Sequence, residues 1–157
     1  MLKIVLFEPD NPQNFGRIIR LCACIGASLH VIEPAGFPLD DARIRRGSLD
    51  YIDHLTLVKY TSWKDFLNRK TAGRILLLST KASESLYKTR FSPDDWLLFG
   101  RETSGVPDHV HAESDLRVRI PMQNGLRSLN LSLAASMVLS EATRQILESG
   151  GNDIYLS

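Results

Sequence analysis

The stretch Asp95–Pro107, DWLLFGRETSGVP, joins an unbroken apolar run to a loop of polar residues and glycines. Trp96-Leu97-Leu98-Phe99 does not alternate as a strand with one wet face would, so it reads as a short strand covered on both sides, the habit of parallel sheets. LKIVLF (Leu2–Phe7) and RILLLST (Arg74–Thr80) have the same character. SLHVIE, LTLVKY and LRVRIP supply three further strand candidates.

Helical patterns fall between these runs. QNFGRIIRLCACIG places Phe15, Ile18, Ile19, Cys22 and Ile25 at helical spacing and stops at Gly26. PLDDARIRRG has early acids and late arginines, which suits a helix dipole, and SWKDFLNR has Ser62 as N-cap with Asp65 three residues on. PDHVHAE predicts a short helix with Pro107 at its first position, and GLRSLNLSLAASMVLSEATRQIL, Gly125–Leu147, predicts a closing helix to about Glu148. Strands alternating with helices give the fold class: α/β, a mostly parallel sheet with helices on both faces.

With 157 residues the chain reads as one domain, 1–157, without repeat or linker. No signal-peptide pattern or run of ~20 apolar residues is present, so the expectation is a cytoplasmic protein with no membrane partner. Cys22 and Cys24, two apart on one helix, read as buried reduced thiols, and the scattered histidines argue against a metal site. The net charge of +1 leaves nucleic-acid binding open, because clustering decides it. The clusters are Arg43, Arg45 and Arg46; Lys81, Lys88 and Arg90; and Arg117, Arg119 and Arg127. Taken alone, such clusters read as solvated surface balanced by Asp40, Asp41, Asp94 and Asp95.

In open parallel sheets ligands sit beyond the carboxyl ends of the strands. Three loops there are unusual: EPDNPQNFG, GRETSGVP and PMQNGLRSLN. GRETSG has the glycine spacing of a phosphate loop but lacks the Lys-Ser/Thr, and neither a dinucleotide fingerprint nor a nucleophile elbow occurs. Asn14 reads either as a helix cap or as a functional amide. Arg20, among apolar Ile18, Ile19 and Cys22, demands a partner or a ligand. The two are not stacked on one helix face and converge only if Asn14 stands in the loop.

NPQNFGRIIR, LLFGRETSGVP and IPMQNGLRSLNLSLAASMVL resemble, in order and spacing, the three motifs of the SPOUT superfamily of RNA methyltransferases. The resemblance spans nearly the whole chain and is strongest to the minimal type that methylates the ribose 2′-hydroxyl of the wobble nucleotide, position 34, of tRNA. It implies S-adenosylmethionine as methyl donor, no metal, a homodimer that grips the tRNA anticodon stem-loop, and a C-terminal deep trefoil knot. Chain-topology rules alone argue against such threading. The matching positions imply Leu78, Gly100, Ile120, Met122, Ser128 and Leu129 for the cofactor, and Arg20, Asn14 and Asn130 for catalysis. Glu102 is implied at the substrate, and Arg43, Arg45 and Arg46 are the first candidates for RNA phosphates.

Ser140 and Leu133 stand where the family carries tyrosine and asparagine, which bears on dimer or RNA contacts more than on methyl transfer. Ser128, Ser132, Ser136 and Ser140, with Ala134 and Ala135, suggest a small-residue surface for a partner chain. Two rivals stay open: the same chemistry on ribosomal RNA, and a non-catalytic RNA-binding module of this fold.

Overall fold

The computed structural model describes residues 1–40, 42, 44, 46 and 49–150. Seven strands form one sheet: β1 (Lys3–Phe7), β2 (Ser28–Ile32), β3 (Leu57–Tyr60), β4 (Ile75–Leu78), β5 (Glu84–Ser85), β6 (Trp96–Phe99) and β7 (Leu116–Arg119). The order is β3-β2-β1-β6-β4-β7-β5, and every strand pair is parallel. Helices α1 (Pro12–Ile25), α2 (Trp63–Arg69), α3 (Asp108–Glu113) and α4 (Leu131–Glu148) supply the crossovers and covers.

The unbroken apolar strands divide their side chains between two cores, as the period of two requires. Ile4, Leu6, Leu76, Leu97 and Phe99 pack with Phe15, Ile18 and Cys22 of α1 and Ala135, Val138 and Leu139 of α4. Val5, Phe7, Ile75, Leu77 and Leu98 face the other way, toward Trp63 and Phe66 of α2 and Val110 of α3. Helices therefore cover both faces of the parallel sheet, as the alternation predicts.

Local signals explain most boundaries. Asn11, not Asn14, caps α1, accepting from the backbone N–H of Gln13 and Asn14, and Gly26 closes the helix at φ 73°. Ser62 Oγ accepts from Asp65 N at 3.1 Å while the Asp65 carboxylate accepts from Thr61 N at 3.0 Å. Pro107 stands one residue earlier than expected, as the cap of α3.

The last helix departs most from its sequence pattern. It begins at Leu131, with Asn130 as N-cap, and residues 123–130 form an exposed segment rather than a first turn. The apolar spacing of Leu126 and Leu129 resembles a helical face, but both side chains are exposed. Ser132 and Ala135 are buried within the chain itself, so they offer no surface to a partner, whereas Ser140 is exposed. Cys22 is buried, which pushes its thiol up to about 12, but Cys24 is exposed, contrary to expectation. Of the helix expected over Pro38–Gly47, residues 42, 44 and 46 are helical and Ile44 N donates to Asp40 O at 3.0 Å, while 41, 43, 45 and 47 lie outside the described residues. Among the described residues no helix is long and apolar enough to cross a membrane.

Candidate active site

A cleft of about 1100 Å³ opens at the carboxyl ends of β4, β6 and β7. Its walls come from the three loops singled out in the sequence, and it contains nine of the expected residues: Asn14, Leu78, Gly100, Glu102, Ile120, Met122, Ser128, Leu129 and Asn130. Parallel strands end together at one edge, which brings positions more than a hundred residues apart in the chain into one site.

A directed chain of hydrogen bonds ties those loops together. At the α4 cap, Asn130 Oδ1 accepts from Ser132 N at 2.9 Å and from Ser132 Oγ at 2.6 Å. A backbone N–H can only donate, so the Asn130 amide has one orientation, and its Nδ2 donates to Asn14 Oδ1 at 3.0 Å. Asn14 Nδ2 must then donate onward, to Glu102 Oε1 at 3.3 Å. The other Glu102 oxygen accepts from Asp10 N at 3.3 Å. Asn14 is 3% exposed, and without these partners its amide would carry a desolvation penalty. Asn14 is therefore not the cap of α1 but a buried amide that links the second and third motif loops.

Further contacts fasten the first loop to the second. Thr103 Oγ1 donates to Asp10 Oδ2 at 2.6 Å, and Arg101 pairs with Glu8, a residue at φ 44°. Burial raises the Glu102 carboxyl above its ordinary range, and Asp10 beside it adds to the effect; Asp10 is itself lowered, chiefly by its hydrogen bond with Glu102. Arg101 and Gly105 exchange two backbone hydrogen bonds of 3.0 Å, folding 101–105 into a tight turn. A Cβ on Gly100 would lie 2.5 Å from the Gly105 carbonyl carbon, so the close approach that glycine permits here is to its own loop.

Other expected residues lie elsewhere. Arg20 is exposed on α1, outside the cleft lining, with its guanidinium 5.0 Å from the centre of the Tyr51 ring. Asn14 lies within the first turn of α1 and not in the loop, so the two do not converge within one chain. Arg46 is exposed and also absent from the lining, while Arg43 and Arg45 fall outside the described residues. Sequence reasoning gives Ser132 no part in the site, and Asp10, Thr80 and Arg127 no role, although Thr80 and Arg127 line the cleft. Only the position of Asp10 in the loop four residues before Asn14 hints at its part.

The lining suits a nucleoside-bearing cofactor. Leu78, Ile120, Leu129 and Ala134 supply apolar surface, with Ser79, Thr80 and Ser128 as hydroxyls among them. A flat base wants such a slot with few convergent polar groups, and the volume leaves room for a second ligand. Among the described residues no group of three His, Cys, Asp or Glu side chains is placed to hold a metal ion.

Fold and cleft are those of an α/β methyltransferase, and comparison with known proteins assigns the family. Residues 1–140 match the SpoU rRNA Methylase family, and the chain belongs to it. A tRNA (cytidine(34)-2′-O)-methyltransferase of Beijerinckia indica is 49% identical over 145 residues, 91% of each chain. The Escherichia coli K12 protein of the same name is 43% identical, covering 93% of this chain and 94% of its own. A solved structure concerned with 2-OH methylation of C/U34 on tRNA superposes with a TM-score of 0.89 at 39% identity, covering 94% of this chain and 97% of that one. A SpoU methyltransferase of Streptomyces viridochromogenes in complex with AdoMet gives 0.84 at 27% identity, covering 94% of this chain and 61% of its own.

Proposed function

We propose that this protein transfers a methyl group from S-adenosylmethionine to the ribose 2′-hydroxyl of the wobble nucleotide, position 34, of tRNA. The observation that carries the reading is the bond chain Glu102–Asn14–Asn130, which converges the three motif loops on one cleft. Relatives of this length and name support the choice of tRNA.

When bound, the cofactor supplies an electrophilic methyl group on a sulfonium. Leu78, Ile120, Met122 and Leu129 would hold its apolar portion, and Ser128 with the main chain about Gly100 would offer polar contacts. A ribose hydroxyl is a poor nucleophile, so what the chain contributes is placement and stabilisation of developing negative charge. Asn14 and Asn130, locked in orientation by Ser132 N–H, position the nucleotide and the loops around it. Glu102 fixes Asn14 and the first loop at the substrate side.

Arg20 is the group suited to the phosphate beside the reacting ribose and to the alkoxide, because its planar fork makes two parallel bonds. It stands outside the cleft of its own chain, which favours a homodimer: Leu133 and Met137 are exposed on α4, which packs against α1. Two copies joined across that face would bring Arg20 of one to the cleft of the other, and Arg43, Arg45 and Arg46 remain the sequence's candidates for phosphates of the anticodon stem-loop. A C-terminal trefoil knot belongs to the same proposal. It is supported by the insertion of β7 between β4 and β5, both earlier in the chain, followed by a segment that crosses back to line the cleft.

The test is to incubate the protein with methyl-labelled S-adenosylmethionine and tRNA lacking the modification, then map the label. Label on the ribose at position 34 supports the reading; label in ribosomal RNA moves the substrate, and no label in any RNA leaves a binding module. Arg20→Lys keeps the charge and loses the fork, and transfer should fall at least about tenfold. Near-full turnover would remove Arg20 from the reaction.

A further inference from the structure

Two of the basic clusters in the sequence have no role in the proposed reaction, and four of their six residues, Lys81, Lys88, Arg119 and Arg127, fall about the β5 edge of the sheet and the cleft beside it. The β5–β7 pairing sets Ser85 in register with Arg119, one residue before cleft-lining Ile120. Lys81 and Arg127 lie in the cleft lining itself. Lys81, Lys88, Arg119 and Arg127 are all exposed, and among the described residues none of their side chains has an ion pair or hydrogen bond. Glu84 is the one acid on β5, against these four cations.

Tyr87 sits in the middle of this edge, 60% exposed, and stacks on no other ring among the described residues. Its backbone is firmly held. Leu86 beside it is fully buried, Thr89 Oγ1 donates to Ser85 O at 2.9 Å, and Gln145 of α4 bonds both Thr89 O and Phe91 N at 3.0 and 3.1 Å. A rigid, outward-facing aromatic ring among unpaired cations has little to gain in water. It is the arrangement that binds unpaired RNA, with phosphates on the cations and an unstacked base on the ring.

We propose that the β5 edge is an RNA-binding surface continuous with the cleft: Tyr87 stacks on an unpaired base near the target nucleotide, and Lys81, Lys88, Arg119 and Arg127 bind the flanking phosphates. The inference rests on the reading of the protein as an RNA methyltransferase and extends it to how the loop is held. It also gives Arg127, for which the catalytic scheme has no use, a role at the join between patch and cleft.

The experiment measures binding of a fluorescently labelled anticodon-loop RNA hairpin to the full-length protein across a salt series, with S-adenosylmethionine affinity measured separately. Tyr87→Ala should weaken hairpin binding about tenfold or more, while Tyr87→Phe keeps the ring and binds as the wild type. Lys88→Gln with Arg119→Gln should lower the slope of log affinity against log salt by about 0.7 for each phosphate that is no longer neutralised. Cofactor affinity and melting temperature should not move. The inference is overturned if the wild type binds the hairpin and both Tyr87→Ala and the lysine–arginine pair match it, or if a fully paired duplex binds as tightly as the hairpin and with the same weakening in Tyr87→Ala. Failure of the methyltransferase reading looks different: the wild type then transfers no label to any RNA, whatever the hairpin does.

Discussion

On the α2–α3 face of the sheet, Phe7, Tyr60, Trp63, Phe66 and Trp96 interlock with ring centroids 5.2–6.3 Å apart. On the α1–α4 face the core is mostly aliphatic, with Phe15 and Phe99 among it, and beside it stands the amide chain from Glu102 to Asn130. The same strands feed both faces by alternation, so stability and chemistry are drawn from neighbouring residues that point opposite ways.

The largest effect should come from the aromatic face. Phe66 is fully buried and touches three other rings, so Phe66→Ala should cost about 3–5 kcal/mol of stability, read by chemical denaturation. A variant that still folds should bind S-adenosylmethionine normally, since no cleft residue has been changed. Weakened cofactor binding in a folded Phe66→Ala would break the division between the faces.

Gly100→Ala sharpens it from the other side. The new Cβ meets the Gly105 backbone, which must shift, so a cost of about 1–3 kcal/mol is expected with displacement of Glu102 and the whole 101–105 turn. Cofactor affinity and transfer rate should both fall, a change calorimetry and single-turnover assays separate.

The effect expected to be smallest at neutral pH is a pH dependence contributed by the aromatic face. His30 is buried between Ser28 Oγ and the Tyr60 hydroxyl, both 2.9 Å away, and burial brings its pKa down to about 4 from 6.5. Between those values the unfolded chain takes up a proton that the folded chain refuses. Stability should therefore be full above about pH 6.5 and decline as pH falls to about 4, by about 3 kcal/mol at most, flattening below. His30→Gln should remove most of that slope without changing transfer at neutral pH.

Sheet class, four of the helices and six of the strands are legible in the sequence, because apolar periodicity and caps such as Ser62 and Gly26 act locally. Glu84–Ser85 is too short to carry a period, and it pairs only because β7 arrives beside it. The true start of α4 is hidden in the sequence because Leu126 and Leu129 keep helical spacing on a segment that is exposed and not helical. Asn14, Glu102 and Asn130 are visible as motif residues, but their mutual bonds depend on parallel strands ending at one edge, which no local signal encodes. Arg20 shows the converse: its apolar neighbours suggest a buried cation, yet a helix presents successive residues to different sides, and Arg20 faces outward over Tyr51.

Asn130→Asp tests the central claim most directly, because the carboxylate keeps the Oδ1 cap on Ser132 N while removing the Nδ2 donor to Asn14. The measurement is transfer of labelled methyl to position 34 of unmodified tRNA, with melting temperature and cofactor affinity recorded alongside. The account predicts that transfer falls by about a hundredfold or more with the fold and the cofactor site retained. A variant that methylates at the wild-type rate would contradict it.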